Sequence, residues 1–172
     1  MQTATFVTMS NSLTINSSLS KIEKYQLVIS QIQSLLSGEK NHTANAANVA
    51  AVLKEVFNFF WVGFYLFDKE NNNLVLGPFQ GPVACTRINY SKGVCGVAWR
   101  EQKTQIVPDV SLFPGHIACS ANTKSEIVVP VFDDNNQLLF VLDVDSDKSN
   151  DFDTTDAELL EQLVELIKLQ VT

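Results

Sequence analysis

The stretch FWVGFYLF at Phe60–Phe67 decides the fold class of this chain. Aromatic and β-branched side chains fill it, which is typical of a buried strand. A polar turn follows at Asp68–Asn73, and the apolar run Leu74–Leu76 begins a return strand. These residues predict a β-sheet at the centre of the molecule.

Two helices are predicted on the N-terminal side of this strand. Ser20 and Glu23 have the spacing of a capping box, and apolar side chains then recur on one helical face. Gly38 stands where a C-cap glycine belongs. The second helix follows Asn41–Thr43 and begins with a run of small side chains, which allows close packing.

On the C-terminal side, the pattern alternates between strands and helices. The predicted elements are a strand at Val83–Ile88, a helix at Gly93–Arg100, a strand at Thr104–Val107, a hairpin of Glu126–Phe132 and Gln137–Val144, and a last helix opened by the capping pair Thr155 and Glu158. The fold class is therefore α+β: a central antiparallel β-sheet flanked by N-terminal, middle and C-terminal helices.

Length and charge limit the class of function. The chain has 172 residues, the length of one domain, which we assign to residues 19–172. Residues 1–18 are rich in Ser, Thr and Asn and predict a flexible or extended tail. The net charge of −7 argues against nucleic-acid and anionic-membrane partners, because both need a basic surface. The N-terminus lacks a basic segment followed by an apolar stretch, so we expect a cytoplasmic protein.

Three cysteines, Cys85, Cys95 and Cys119, are the first candidates for chemistry. Three thiols close together in an intracellular chain suggest redox or metal chemistry, or core packing without chemistry. A zinc site made of these cysteines and His116 is a third interpretation, although it lacks the CxxC pair typical of structural zinc.

Cys119 lies in a loop without periodicity, where catalytic groups are often held. A nucleophilic thiol needs a lowered pKa, and His116 and Lys124 are the nearby cations that could lower it. Cys95 begins a short helix, whose backbone N–H groups would favour a thiolate. Cys85 is predicted to lie on a strand.

Carboxylates form the second candidate group. Asp143 and Asp145 alternate at the end of the last strand, so they point to one face. Counting outward from the hairpin turn brings Glu126 opposite them. Like charges so close would keep at least one acid protonated near neutral pH. The alternative is a solvated strand end in an acidic protein.

Five blocks of sequence resemble the free methionine-R-sulfoxide reductases, a family built on the GAF domain. They are Asn58–Tyr65 (NFFWVGFY), Leu76–Cys85 (LGPFQGPVAC), Gly93–Ala98 (GVCGVA), Phe113–Cys119 (FPGHIAC) and Ser125–Pro130 (SEIVVP). Leu142–Ser146 (LDVDS) and Phe152-Asp153 also fit, so the resemblance covers most of residues 20–170.

The resemblance implies a reductase of free L-methionine-(R)-S-oxide on a single GAF domain. By position, Cys119 is the catalytic cysteine, Cys85 is its resolving partner, and Cys95 is a second candidate for resolution. The substrate-binding residues implied are Glu126, Asp143, Asp145 and Trp61.

The same resemblance implies thioredoxin as the external reductant, no metal and no organic cofactor, and a homodimer formed through the terminal helices. One departure is visible: the family usually has Asp after the catalytic cysteine, where this chain has Ser120. The alternative function is a non-catalytic GAF module that binds a small ligand or senses redox state.

Overall fold

A computed structural model of the chain describes residues 18–117 and 119–168. The predicted tail lies outside these ranges except for its last residue. The elements, in chain order, are α1 (Lys21–Leu36), α2 (His42–Phe57), β1 (Trp61–Asp68), β2 (Asn73–Gln80), β3 (Arg87–Asn89), α3 (Gly93–Glu101), β4 (Gln105–Val107), a 3-10 turn (Val110–Leu112), β5 (Ser125–Phe132), β6 (Leu138–Ser146) and α4 (Thr154–Lys168). This order confirms the predicted α+β succession.

The strands within the described ranges form one antiparallel sheet in the order β3-β2-β1-β6-β5-β4. Helices α1, α2 and α4 cover one face of it, and their apolar side chains pack against Val62, Phe64 and Ile127. On the other face, Trp61 and Tyr65 pack with residues of α3. Because side chains alternate along a strand, β1 serves both cores. The second face carries the site described below.

Two strands, β2 and β3, differ most from the prediction. Strand β2 continues through Gly77 and Pro78, because an irregularity in its pairing with β1 absorbs the proline, which cannot donate to the ladder. Strand β3 begins only at Arg87, so the prediction that Cys85 lies on a strand was wrong. The chain leaves the sheet at Gly81, whose φ of +137° is a conformation that favours glycine.

The predicted N-terminal capping pair was correct for α1 and wrong for α4. The capping box of Ser20 and Glu23 is present at α1. At α4, the prediction of a Thr155–Glu158 pair was wrong, because Asp153 accepts from the Thr155 N–H at 2.7 Å and Asp156 accepts from the Asp153 N–H at 2.8 Å. Among the described helices, none is long and apolar enough to cross a membrane.

Candidate functional site

Three adjacent strands place an aromatic and two acidic side chains in one row of the sheet. Asp145 on β6 pairs directly with Trp61 on β1 and with Glu126 on β5. Asp143 lies two residues earlier on β6 and therefore faces the same side. The predicted position of Glu126 opposite these acids is confirmed. Glu126 and Asp143 are only 6% and 7% exposed, so the interpretation of a solvated strand end was wrong.

Burial controls the protonation of these acids. It raises the pKa of Glu126 and Asp143 well above ordinary carboxyl values, and the neighbouring acids raise them further. The pKa of Asp145 is raised in the same way, by burial and by the charge of Asp143, while a hydrogen bond from Thr123 opposes the shift. The cluster therefore holds protons at pH values where exposed carboxyls have lost them.

One polar atom in this cluster has no partner. Asp143 hydrogen-bonds Glu126 and the Cys95 thiol, yet its Oδ1 atom has no hydrogen-bond partner among the described residues. An unpaired buried oxygen costs about 1–3 kcal/mol.

Cys85 and Cys119 are joined as a disulfide across 34 residues of sequence, with their Cα atoms 5.7 Å apart. Cys119 is exposed and lines a pocket that also contains Glu126, Asp143 and Asp145, while Cys85 is half-buried. The structure thus brings Cys119 and the acidic cluster to one site. Because these two cysteines are bonded to each other, the zinc site of three cysteines and His116 does not form in this state.

Cys95 is the free thiol among the described cysteines, and it is buried. Its pKa is raised well above the ordinary value, by burial first and then by the charges of Asp143 and Glu126. The expectation that the start of α3 would favour a Cys95 thiolate was therefore wrong, because desolvation and nearby acids outweigh the helix dipole.

Of the two cations expected near Cys119, His116 lies in the pocket and Lys124 does not. His116 lines the pocket with its Nε2 atom 3.5 Å from Oε2 of Glu126, and burial lowers its pKa. Lys124 is exposed and does not line the pocket. Ser120, which stands where the family usually has Asp, lines the pocket and accepts a hydrogen bond from the Asn122 N–H at 3.2 Å.

Trp61 forms a wall of the pocket and is held from three sides. Its Nε1–H donates to the Pro82 carbonyl at 3.1 Å, and its ring stacks on Phe79 at a centroid distance of 5.4 Å. A Cβ at Gly81 would lie 2.6 Å from the Trp61 Cδ1 atom, so glycine is required there on steric grounds as well. This fixed indole makes one side of the pocket rigid and apolar.

Tyr65 and Thr123, the hydrogen-bond partner of Asp145, are site residues that the sequence pattern did not single out. The Tyr65 hydroxyl donates to the Cys85 carbonyl at 2.9 Å, and the Tyr65 ring lines the pocket beside Trp61. Alternation along β1 gave a signal, since Trp61, Gly63 and Tyr65 share one face, but it could not separate a pocket wall from core.

A metal ion is the other occupant to consider for the buried groups. The Cys95 sulfur and one oxygen each from Glu126 and Asp143 lie within 4.8 Å of one another. These groups already hydrogen-bond one another in the pairs Cys95–Asp143 and Asp143–Glu126. We therefore assign no metal to them. The arrangement combines an accessible sulfur with proton-holding acids in a small pocket, which suits thiol chemistry on a polar substrate.

Comparison with known proteins first defines the class. The family model of the GAF domain matches residues 46–169. The GAF domain-containing protein A of Dictyostelium discoideum is 60% identical over 148 residues, with 86% of this chain and 92% of that protein covered. Fold and sequence together define a GAF-domain protein with a cysteine pair beside buried acids.

Two further matches define the family. The free methionine-R-sulfoxide reductase of Saccharomyces cerevisiae is 42% identical, with 88% of each chain covered. An X-ray structure of the free methionine-R-sulfoxide reductase of Neisseria meningitidis in complex with its substrate has a TM-score of 0.88 and 49% identity, with 91% of this chain and 93% of that chain covered. This chain belongs to the free methionine-R-sulfoxide reductase family.

Proposed function

We propose that this protein reduces free L-methionine-(R)-S-oxide to L-methionine, with Cys119 as the nucleophile. The observation that carries the proposal is the exposed residue Cys119, which lines a pocket that holds three proton-binding acids. Family membership supplies the substrate, since relatives at 42% and 43% identity bear the name free methionine-R-sulfoxide reductase.

The reaction begins from the reduced protein. The Cys119 thiolate attacks the sulfoxide sulfur while a protonated acid of the cluster donates to the sulfoxide oxygen. The protonated oxygen then moves as a hydroxyl group from the substrate sulfur to the Cys119 sulfur while the bond between the two sulfurs breaks, so that methionine leaves and Cys119 becomes a sulfenic acid. Cys85 then displaces this oxygen as water and forms the disulfide. The proximity of the Cys85 and Cys119 backbones supports this assignment, because 5.7 Å between Cα atoms is within the range for a disulfide.

Regeneration completes the proposal. A thioredoxin-type dithiol reduces the disulfide by exchange. Thiols supply both electrons, so the reaction requires no metal and no organic cofactor. We place this redox cycle in the cytoplasm, and we assign self-association to the terminal helices, where α1 exposes Ile22 and Leu27.

A thioredoxin-coupled assay on both sulfoxide epimers tests the function. We expect consumption of NADPH with free methionine-R-sulfoxide and none with the S epimer. A parallel assay with dithiothreitol in place of thioredoxin distinguishes failure of thioredoxin to reduce the enzyme from absence of the reductase activity. Absence of methionine formation from the R epimer with both reductants would overturn the proposal.

The acids are expected to play separate roles in this assay. Glu126→Gln or Asp143→Asn should lower kcat by roughly 10²–10⁴-fold if that residue donates the proton. Asp145→Asn should mainly raise KM, because contact with the substrate ammonium exists equally in the ground and transition states. Near wild-type kinetics for all three variants would remove the acids from the mechanism.

A further inference from the structure

The two most exposed large apolar side chains among the described residues lie in the two segments that carry the disulfide. Val83 is 87% exposed and stands two residues before Cys85, while Leu112 is 79% exposed and begins the segment that leads to Cys119. Ile117, two residues before Cys119, is also exposed. Several exposed apolar side chains in two segments joined by a disulfide need a reason, whereas a single one does not.

The same two segments lack formal charge. Residues 74–86 and 110–123 contain no Lys, Arg, Asp or Glu, although 18% of the chain is charged. Val83 and Ile117 line the same pocket as Cys119. We define Val83 and Ile117 as the apolar rim of the disulfide. An uncharged apolar rim suits a protein partner that makes apolar contacts, whereas a small charged thiol would gain nothing from it.

We propose that this apolar rim is the docking surface for the protein dithiol that reduces the enzyme, a thioredoxin-class protein, and that its thiolate attacks Cys119. The biological purpose of docking rests on the proposed function. Cys119 is the accessible half of the disulfide, because it is exposed and Cys85 is half-buried.

The exchange transfers two electrons to the enzyme through a mixed disulfide. The partner's thiolate bonds to the Cys119 sulfur, the Cys85–Cys119 bond breaks, and Cys85 leaves as a thiolate that takes up a proton. The partner's second thiol loses its proton and attacks the partner's own sulfur in the mixed disulfide, which releases Cys119 as a thiolate. The enzyme disulfide gains two electrons, and the partner dithiol becomes a disulfide.

The rate of disulfide reduction tests the docking surface directly. Oxidised enzyme is mixed with reduced thioredoxin, and separately with dithiothreitol, and the second-order rate constants are compared. Val83→Ser and Ile117→Ser should each lower the thioredoxin rate constant by about 3–10-fold, and the double variant by more, since each substitution removes apolar surface that the partner would bury. The dithiothreitol rate constant should stay within about twofold of wild type.

Leu66→Ser is the matched control, because Leu66 is 38% exposed and shares a face of β1 with Val62 and Phe64, on the side of the sheet opposite the site. Its thioredoxin rate constant should equal that of wild type. An unchanged thioredoxin rate constant in the double variant, or an equal fall with dithiothreitol, would overturn the docking proposal. The measurement uses no methionine sulfoxide, so the docking proposal can be tested even if the protein does not reduce methionine sulfoxide.

The site of attack is tested by trapping. A thioredoxin variant without its second cysteine is reacted with the oxidised enzyme, free thiols are blocked at once, and the mixed disulfide is mapped by peptide mass spectrometry. We expect thioredoxin on Cys119 and the blocking group on Cys85. Thioredoxin found mainly on Cys85 would overturn attack at Cys119.

Discussion

At the scale of single residues, the two bonded cysteines are expected to fail at different steps. Cys85→Ser should release about one methionine per enzyme in a single turnover and then stall with thioredoxin, because attack needs only the thiolate of Cys119. Cys119→Ser should release none, since a serine hydroxyl does not ionise enough to replace a thiolate. Quench-flow quantification of methionine measures both. Steady cycling of Cys85→Ser would move resolution to Cys95.

Glu126 makes the stability of the fold depend on pH. Its folded-state pKa lies well above the ordinary value of 4.5, so the folded chain binds more protons than the unfolded chain above that pH. The free energy of unfolding therefore falls as pH rises through this window. The groups around Glu126 are Asp143 and Asp145 on β6, Cys95 on α3 and His116.

Glu126→Gln removes this titration and should stabilise the fold. We expect a higher Tm than wild type at pH 8 and a smaller difference at pH 4, where the native carboxyl is already neutral. Glu55→Gln, an exposed position on α2, is the control and should show no such trend. Thermal melts across this pH range decide the point, and a constant difference would show that Glu126 ionises normally.

At the scale of elements, Asp156 at the start of α4 is the contact that holds α1 in place. It accepts hydrogen bonds from the Tyr25 hydroxyl at 3.0 Å and from Nζ of Lys21 at 2.6 Å, and it is buried. Tyr25→Phe keeps the ring contact with Phe57, 4.2 Å between centroids, but leaves a buried carboxylate oxygen without its donor.

Loss of the Tyr25–Asp156 hydrogen bond in Tyr25→Phe should lower the free energy of unfolding by about 1–3 kcal/mol. Denaturant titration measures it, with Tyr90→Phe as the control because Tyr90 is 47% exposed. Equal stability of the two variants would show that the Tyr25–Asp156 bond contributes nothing.

Elements also show how far the sequence could predict this structure. The order of helices and strands followed from local periodicity, and the hairpin turn was enough to place Glu126 opposite Asp145. Strand β3 was mispredicted because the path of residues 81–86 depends on contacts distant in sequence, such as the Tyr65 hydroxyl on the Cys85 carbonyl.

The protonation of Cys95 and the position of Tyr65 in the pocket depend on burial, which residue type alone does not give. The helix position of Cys95 predicted a thiolate, but the acids that raise its pKa come from β5 and β6. The sequence could not show whether Tyr65 lines a pocket or packs in the core, because an aromatic side chain on one face of a strand suits both positions. Nothing in the residues themselves, apart from the resemblance, distinguished Cys85 from Cys95 as the partner of Cys119.

At the scale of the whole molecule, the Cys85–Cys119 disulfide covalently links two segments that are distant in sequence. It closes a loop across 34 residues, which in the chain-entropy account stabilises the folded state by about 3–4 kcal/mol. A chain of this length shifts its Tm by roughly 2–4 °C per kcal/mol, so reduction should lower Tm by up to about 15 °C. Differential scanning calorimetry of the oxidised and dithiothreitol-reduced protein measures the change. Cys85→Ser should melt at the same temperature in both buffers, whereas a wild-type Tm independent of reduction would mean that the surrounding loops are already fixed by other contacts.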